Sequence, residues 1–398
     1  MGKLDETKNL LQLFCYAAGV SQVPKEYFMW AGIALISAVV QDRVGYKKMH
    51  DPMAPNLMIF LIGPSGSGKD TAIKYALRYV KDNPRVPFLK GRATAQYLID
   101  RIGQRDDSGA IRDAKLWLIS PELSFNIGSG EQADTMVKFM TAIYGDDDIP
   151  IEEGTRTNQG TKLRNICVNW LAGTIIQWLK DCVSPDAVEG GFFARSVCVK
   201  GYYDFSKKNR FIRPLFPPDY QQVFDYVQER IDALTHIRGE FVMTEAAQKV
   251  ESDWFYGRDE PANDLVIPWW VRQHDLVLKL AMVFSLADGI DLTIQGHHMQ
   301  AAIKLAQDVG VDLPDIMRYA AATGATKELQ TVMDAIKKLG DPVAGIPHSQ
   351  LLRAVSSRGI RADNLHKIVA TLQQANIIKV TRIEGTNALS YRLKEEEK

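Results

Sequence analysis

The run Gly63-Pro64-Ser65-Gly66-Ser67-Gly68-Lys69-Asp70-Thr71 has the residue types and spacing to hold a chain of phosphates. Glycines at 63, 66 and 68 allow tight turns and leave backbone N–H groups free to surround phosphate oxygens. Lys69 brings a point charge to the β- and γ-phosphates, and a helix opening at the lysine adds its N-terminal dipole. The residue after such a lysine is normally Ser or Thr, whose hydroxyl holds Mg²⁺; here it is Asp70, with Thr71 one place later. Asp70 and Thr71 are therefore the candidate metal ligands, and ATP with Mg²⁺ the expected cofactors.

Hydrolysis needs an acidic group on a neighbouring strand. Lys115-Leu116-Trp117-Leu118-Ile119-Ser120-Pro121-Glu122 reads as an apolar strand delivering Glu122 to its carboxyl end, where the side chain can polarise an attacking water. A surface carboxylate at a strand end would read the same way. Pro121 replaces the aspartate that would support Mg²⁺, so Asp70 is expected to take over part of the metal's support. Residues 149–174 read as two strands about a polar turn. That turn offers Arg156, Lys162 and Arg164 to a phosphate backbone, although a solvated hairpin has the same composition. The second strand ends at Thr174, placed to sense the γ-phosphate or its water. Arg195 follows Gly190-Gly191-Phe192-Phe193-Ala194 at the start of a new strand, from which it can reach a neighbouring subunit's γ-phosphate; an arginine pairing with Glu189 is the structural alternative.

These residues need a sheet to align them. Residues 1–50 carry two helical patterns, one through Leu10, Leu11, Phe14, Cys15 and Ala18 and an apolar one from about Tyr27, read as a collar. Residues 51–215 alternate apolar strands with helices, the pattern of a P-loop α/β core. A proline-rich crossing at 208–218 leads to a helical subdomain, 216–322, and a Gly/Thr-rich break then opens a C-terminal module, 326–398. That module reads as a winged helix-turn-helix: helices over about 327–339, from 348 and over 362–374, and strands at 378–383 and 389–393 about a wing at 384–387. Residues 326–394 hold eleven Lys/Arg against five Asp/Glu, which favours duplex DNA contact over a purely protein-binding wing.

Composition bounds the rest. The 398 residues carry 48 basic and 48 acidic side chains, so any nucleic-acid surface must be local. The four cysteines, Cys15, Cys167, Cys182 and Cys198, lack metal-ligand spacing and suit buried thiols of a reducing compartment. The longest apolar stretch, residues 27–40, is too short to span a bilayer, so no membrane association and a cytoplasmic location (the host cytoplasm for a viral protein) are expected.

The ordered series Pro-Asn-Leu before the first strand, Gly-Pro-Ser-Gly-Ser-Gly-Lys, Ser-Pro-Glu-Leu-Ser, Arg-Thr with a following Gly, Ala-Gly-Thr and Gly-Gly-Phe-Phe-Ala-Arg resembles the P-loop ATPase module of phage and mobile-element primase–helicase proteins, over roughly residues 20–310. The resemblance implies an AAA+/RecA-like core related to superfamily 3 helicases, and the terminal module is similar to the tail of minichromosome-maintenance helicases. It further implies nucleotide binding by Lys69 and Thr71, Glu122 as the hydrolytic glutamate, Thr174 as first sensor and Arg195 as arginine finger. Residues 151–165 would be a DNA-gripping hairpin, and Arg272 a second sensor. The expected assembly is a homo-oligomeric ring, a hexamer, with single-stranded DNA in a central channel. No primase domain precedes the ATPase segment, so a separate primase or polymerase is the expected partner. Asp70 and Pro121 depart from the family's metal site, and Gly-Lys-Asp-Thr is closer to nucleoside-monophosphate kinases of the guanylate-kinase kind. A DNA-binding helicase loader or replication initiator ATPase, and such a kinase, are the alternative functions.

Overall fold

Met58–Ile62 is apolar at every position, which suits an inner strand covered on both faces. The computed structural model describes residues 8–48, 52–103, 112–128, 131–145, 151–155, 158–182, 191–202, 215–321, 324–341, 344–356, 360–375, 377–383 and 388–394. The chain opens with helices α1 (Leu10–Ala17) and α2 (Lys25–Val40), then short strands β1 (Val44–Lys47) and β2 (Pro52–Met53). Strand β3 (Met58–Ile62) feeds the glycine-rich loop and α3 (Lys69–Leu77). After these come β4 (Phe88–Lys90), α4 (Ala95–Ile102), β5 (Asp113–Ser120), α5 (Ser124–Ile127) and α6 (Glu131–Ala142). The hairpin β6 (Ile151–Thr155) and β7 (Asn158–Thr174) leads to α7 (Ile176–Cys182), a 3-10 turn (Phe193–Arg195) and β8 (Ser196–Lys200).

The central sheet runs β4-β5-β7-β3-β8 with every neighbouring pair parallel, and β6 joins β7 antiparallel. The fold is thus α/β with a mostly parallel central sheet. Because the strands are parallel, their carboxyl ends meet on one edge, which brings the loop after Ile62 beside Ser120, Thr174 and Lys200.

The remaining helices of the first compact unit, residues 1–321, are α8 (Tyr220–Leu234), α9 (Glu245–Tyr256), α10 (Ile267–Asp288) and α11 (Gly296–Ala321). They share one apolar core with the sheet, and so do α1 and α2. Helix α2 is buried on nearly all sides from Tyr27 to Val40, which is why its sequence shows no polar face. The segment expected as a collar is therefore built into the core. Among the described residues, no helix is long and apolar enough to cross a membrane. The 216–322 region, expected to be wholly helical, also contains β9 (Gly239–Glu240), β10 (Val242–Met243) and β11 (Thr293–Ile294); β9 pairs with β1, and β10 with β11. Strands of two to four residues are too short to show an alternating pattern.

The second unit, residues 322–398, has its own core around Ile336, Leu351, Leu365, Leu372 and Tyr391. Its order is α12 (Gly324–Leu339), β12 (Ile346–Pro347), α13 (His348–Ser356), α14 (Ala362–Gln374), β13 (Ile378–Arg382) and β14 (Leu389–Leu393). The three strands pair antiparallel in the order β12-β14-β13. The expected wing turn, 384–387, lies outside the described residues, as do residues 208–214 of the proline-rich crossing.

Candidate functional site at the carboxyl edge of the sheet

The loop after β3 is a backbone cradle closed by a buried lysine. Gly66 and Gly68 hold φ of +79° and +88°, the left-handed region in which a side chain is strained, and this turns the chain sharply into α3. The loop is tied down at its start: the Gly63 N–H donates to the Thr174 carbonyl at 3.1 Å, and the Tyr27 hydroxyl and Gly201 N–H both donate to the Ile62 carbonyl, at 2.7 and 3.0 Å. Lys69 opens α3 with only 6% exposure, and its Nζ donates to the carbonyls of Gly63 at 2.7 Å and Pro64 at 2.9 Å, with Ser67 Oγ at 3.4 Å. Burial pushes the Lys69 ammonium below its ordinary value, and the negative charge of Glu122 pulls it back up. Pro64, Ser65 and Gly66 are exposed, so the cradle faces solvent.

Glu122 is carried by a turn fixed at several points. The Ser120 hydroxyl, at the end of β5, accepts from Trp170 Nε1 at 2.8 Å and is hydrogen-bonded to Asn126, whose Nδ2 donates to the Gly91 carbonyl at 3.0 Å. The Leu123 N–H donates to the Gly173 carbonyl at 2.7 Å. Glu122 is thereby held beside β7, near enough to act electrostatically on Lys69. Among the described residues its carboxylate accepts no hydrogen bond. Thr174 is fully buried at the end of β7, and its hydroxyl donates to the Ile175 carbonyl at 3.2 Å. Lys69, Glu122 and Thr174, proposed from three separate segments, thus converge on one edge of the sheet. Sequence reading missed Tyr27, Ser120 and Asn126, which hold this edge in place; a buried tyrosine on a helix and a serine and asparagine near a strand end carry no distinguishing spacing.

The metal-ligand candidates are differently engaged. Asp70 pairs with Lys74 at 2.5 Å, one turn down α3 and partly exposed, while Thr71 is exposed on the same turn. An exposed i,i+4 pair contributes little, so the carboxylate can exchange Lys74 for a cation at small cost. The donor set fits Mg²⁺, which usually takes one or two protein oxygens and completes its shell with phosphate oxygens and water. Asp70→Ala is expected to raise the Mg²⁺ concentration needed for half-maximal ATP hydrolysis; an unchanged Mg²⁺ titration would remove Asp70 from the metal site. Asp288, His297 and His298 also bring ligand-type atoms together. There, His298 Nδ1 accepts from the Gln295 N–H at 3.0 Å, which puts the ring proton on Nε2, where it donates to Asp288 at 2.9 Å. A nitrogen carrying that proton is not a metal ligand, and the cluster instead joins the end of α10 to the start of α11.

Arg195 lies at the other edge of the sheet. Ser196 is in register with Met58 and Lys200 with Ile62, so Arg195 is separated from the cradle by the whole length of β3. Five strand residues span roughly 16 Å. Its Nη1 donates to the Gly191 carbonyl at 3.0 Å; Glu189, the alternative partner considered for it, lies outside the described residues. Arg272, expected as a second sensor, lines the same small cavity as Arg195, with Tyr144 and Trp269, because α10 packs against the 3-10 turn. Burial and then the charge of Arg272 hold the Arg195 guanidinium below its ordinary value.

The hairpin pairs residues 151–155 with 158–163, within the span that the sequence suggested. Thr155 pairs with Asn158, and Arg156 lies outside the described residues. Lys162 and Arg164 belong to the stem, opposite β6 and β5 respectively, rather than to the tip; Arg164 pairs with Asp113 at 3.4 Å, half exposed. Strand β7 runs 17 residues, pairing with β6 up to Leu163 and with β5 from Arg164 on, with a register irregularity between Arg164 and Cys167, where Asn165 takes a positive φ. Compared with protein-family models and with curated proteins, the chain matches no family model and no curated protein.

Proposed function

We propose that the chain is a P-loop ATPase that drives movement on DNA, a helicase or translocase of replication assembled as a ring of identical subunits. The observation that carries this reading is the cradle itself: Lys69 buried within a glycine-rich loop at the carboxyl end of an inner strand, flanked by Glu122 and Thr174 from the next two strands. In this reading the loop amides and Lys69 hold the phosphates of ATP, and Glu122 orients and deprotonates the attacking water. Bound Mg²⁺ supplies charge neutralisation to the phosphates, with Asp70 and Thr71 as its protein ligands. The sheet order β4-β5-β7-β3-β8, with the loop-bearing strand between β7 and β8, supports a P-loop core of the AAA+/RecA-like kind. The helix, strand, two-helix, hairpin order of residues 322–398 supports a winged helix-turn-helix that contacts duplex DNA.

The decisive experiment is DNA-stimulated ATP hydrolysis together with strand separation on a forked substrate. Stimulated hydrolysis without strand separation would favour the loader or initiator reading, and neither activity would refute the motor. The hairpin is the proposed grip on single-stranded DNA. Neutralising Arg156, Lys162 and Arg164 together is expected to weaken binding and to lower the slope of log affinity against log salt by up to about 2, since each phosphate contact on a single strand contributes about 0.7. An unchanged slope would take the hairpin off the DNA path.

One observation favours a second reading. A cavity of about 300 Å³ opens on the same edge beyond β4, lined by Arg92, Thr94, Phe125, Asn126 and Gln132. It would suit the acceptor of a nucleoside-monophosphate kinase, and phosphate transfer from ATP to deoxynucleoside monophosphates would establish that activity.

A further inference from the structure

Glu122 and Thr174 flank the phosphate cradle on its β5–β7 side, so the terminal phosphate of a bound nucleotide belongs there. The inner phosphates then lie along the first turn of α3, and the nucleoside must leave on the remaining side. On that side the α1–α2 connection closes on the loop: a Cβ at Gly68 would come within 2.4 Å of a Val23 methyl. The same connection is joined to the chain entering α8 by a two-residue bridge. The Val20 N–H donates to the Leu215 carbonyl and the Leu215 N–H to the Val20 carbonyl, both at 2.9 Å.

That bridge satisfies its own backbone polar groups and presents apolar side chains to solvent. Val20 is 59% exposed, and Leu215 and Phe216 52% each. Phe216 is kept in place by Gly19 on one flank and by the Tyr220 ring, 4.9 Å away, on another. An exposed apolar ledge joined to the phosphate cradle through the connection that carries Val23 matches a flat aromatic group tethered to phosphates. We propose that Val20, Leu215 and Phe216 form the nucleobase subsite of the nucleotide held by Lys69. The inference rests on the phosphate-loop reading and adds to it the part of the ligand that distinguishes a nucleotide from a bare polyphosphate.

The test compares ATP with inorganic tripolyphosphate by titration calorimetry, on the full chain and on a Val20→Ser, Phe216→Ser double variant. Both side chains are exposed, and tripolyphosphate binding itself reports a folded loop. The expected result is that the full chain binds ATP more tightly than tripolyphosphate, and that the variant loses at least about tenfold in ATP affinity while tripolyphosphate affinity holds. Unchanged ATP affinity in the variant, or equal affinities of the full chain for the two ligands, would overturn the subsite. Parallel loss of both ligands in the variant would assign these residues to loop support and overturn it as well. A full chain that binds neither ligand would remove the phosphate-loop reading, and the ledge with it.

Discussion

Lys69→Ala is expected to lower ATP turnover by at least about 10²- to 10³-fold, measured as phosphate release at saturating ATP and Mg²⁺. The lysine is the cation built into the cradle: 6% exposed, with its ammonium held within 3 Å of the Gly63 and Pro64 carbonyls. Its position costs desolvation, and Glu122 offsets only part of that. Phosphate oxygens carry enough negative charge to offset the remainder, so ligand binding and lysine burial reinforce each other. Alanine leaves a cavity with no charge where the transferring phosphoryl group develops it. The fold survives, because α3 opens on the backbone bond from the Ala72 N–H to the Gly68 carbonyl rather than on the side chain. Lys69→Arg is expected to fail almost as badly, since a planar five-donor fork cannot occupy a space shaped around one ammonium and two carbonyls. Turnover by Lys69→Ala near that of the unaltered chain would mean that the cradle is not the hydrolytic site.

The cradle was legible because its constraints are local. An apolar strand, glycines where the backbone must turn left-handed, and a lysine at a helix start appear within fifteen consecutive residues. The second unit was legible for a similar reason: its helices at 348 and 362–374 and its strands at 378–382 and 389–393 show clean periodicity, with boundaries close to those expected. Position across long sequence separations was not legible. Helix α2 reads as an independent apolar helix, and only the three-dimensional packing shows that Tyr27 donates to the strand end beneath the loop. Lys162 and Arg164 fall near Arg156 in sequence, but a strand extends about 3.3 Å per residue and carries them away from the turn. Arg272 was taken as a second sensor from the order of motifs, an order silent about which edge of a sheet a helix packs against. Asp70 illustrates the remaining gap: sequence shows an unusual residue beside the lysine, but its pairing with Lys74 depends on side-chain geometry in α3.

Arg195→Ala is expected to leave ATP binding intact and to abolish hydrolysis, and its distance from the cradle makes this a test of assembly. The whole length of β3 separates the arginine from its own loop, further than the side chain extends, so within one chain the substitution has no route to the γ-phosphate. A loss of hydrolysis therefore requires a second copy that presents its amino edge, with Arg195 and Arg272, to the first copy's carboxyl edge. Such head-to-tail contact closes into rings. Mixing two inactive chains separates this from a folding defect. An Arg195→Ala chain keeps an intact cradle, a Lys69→Ala chain keeps an intact arginine, and a composite site that takes its cradle from the first and its arginine from the second is complete. Random association of equal amounts is expected to restore roughly a quarter of the sites. Partial recovery on mixing, absent from either chain alone, would establish that the site is shared. Ordinary hydrolysis by Arg195→Ala alone would show that the arginine is structural, its contact with the Gly191 carbonyl being all that it does. Loss of hydrolysis without recovery on mixing would place the defect inside the chain, and the ring would lose its main structural argument.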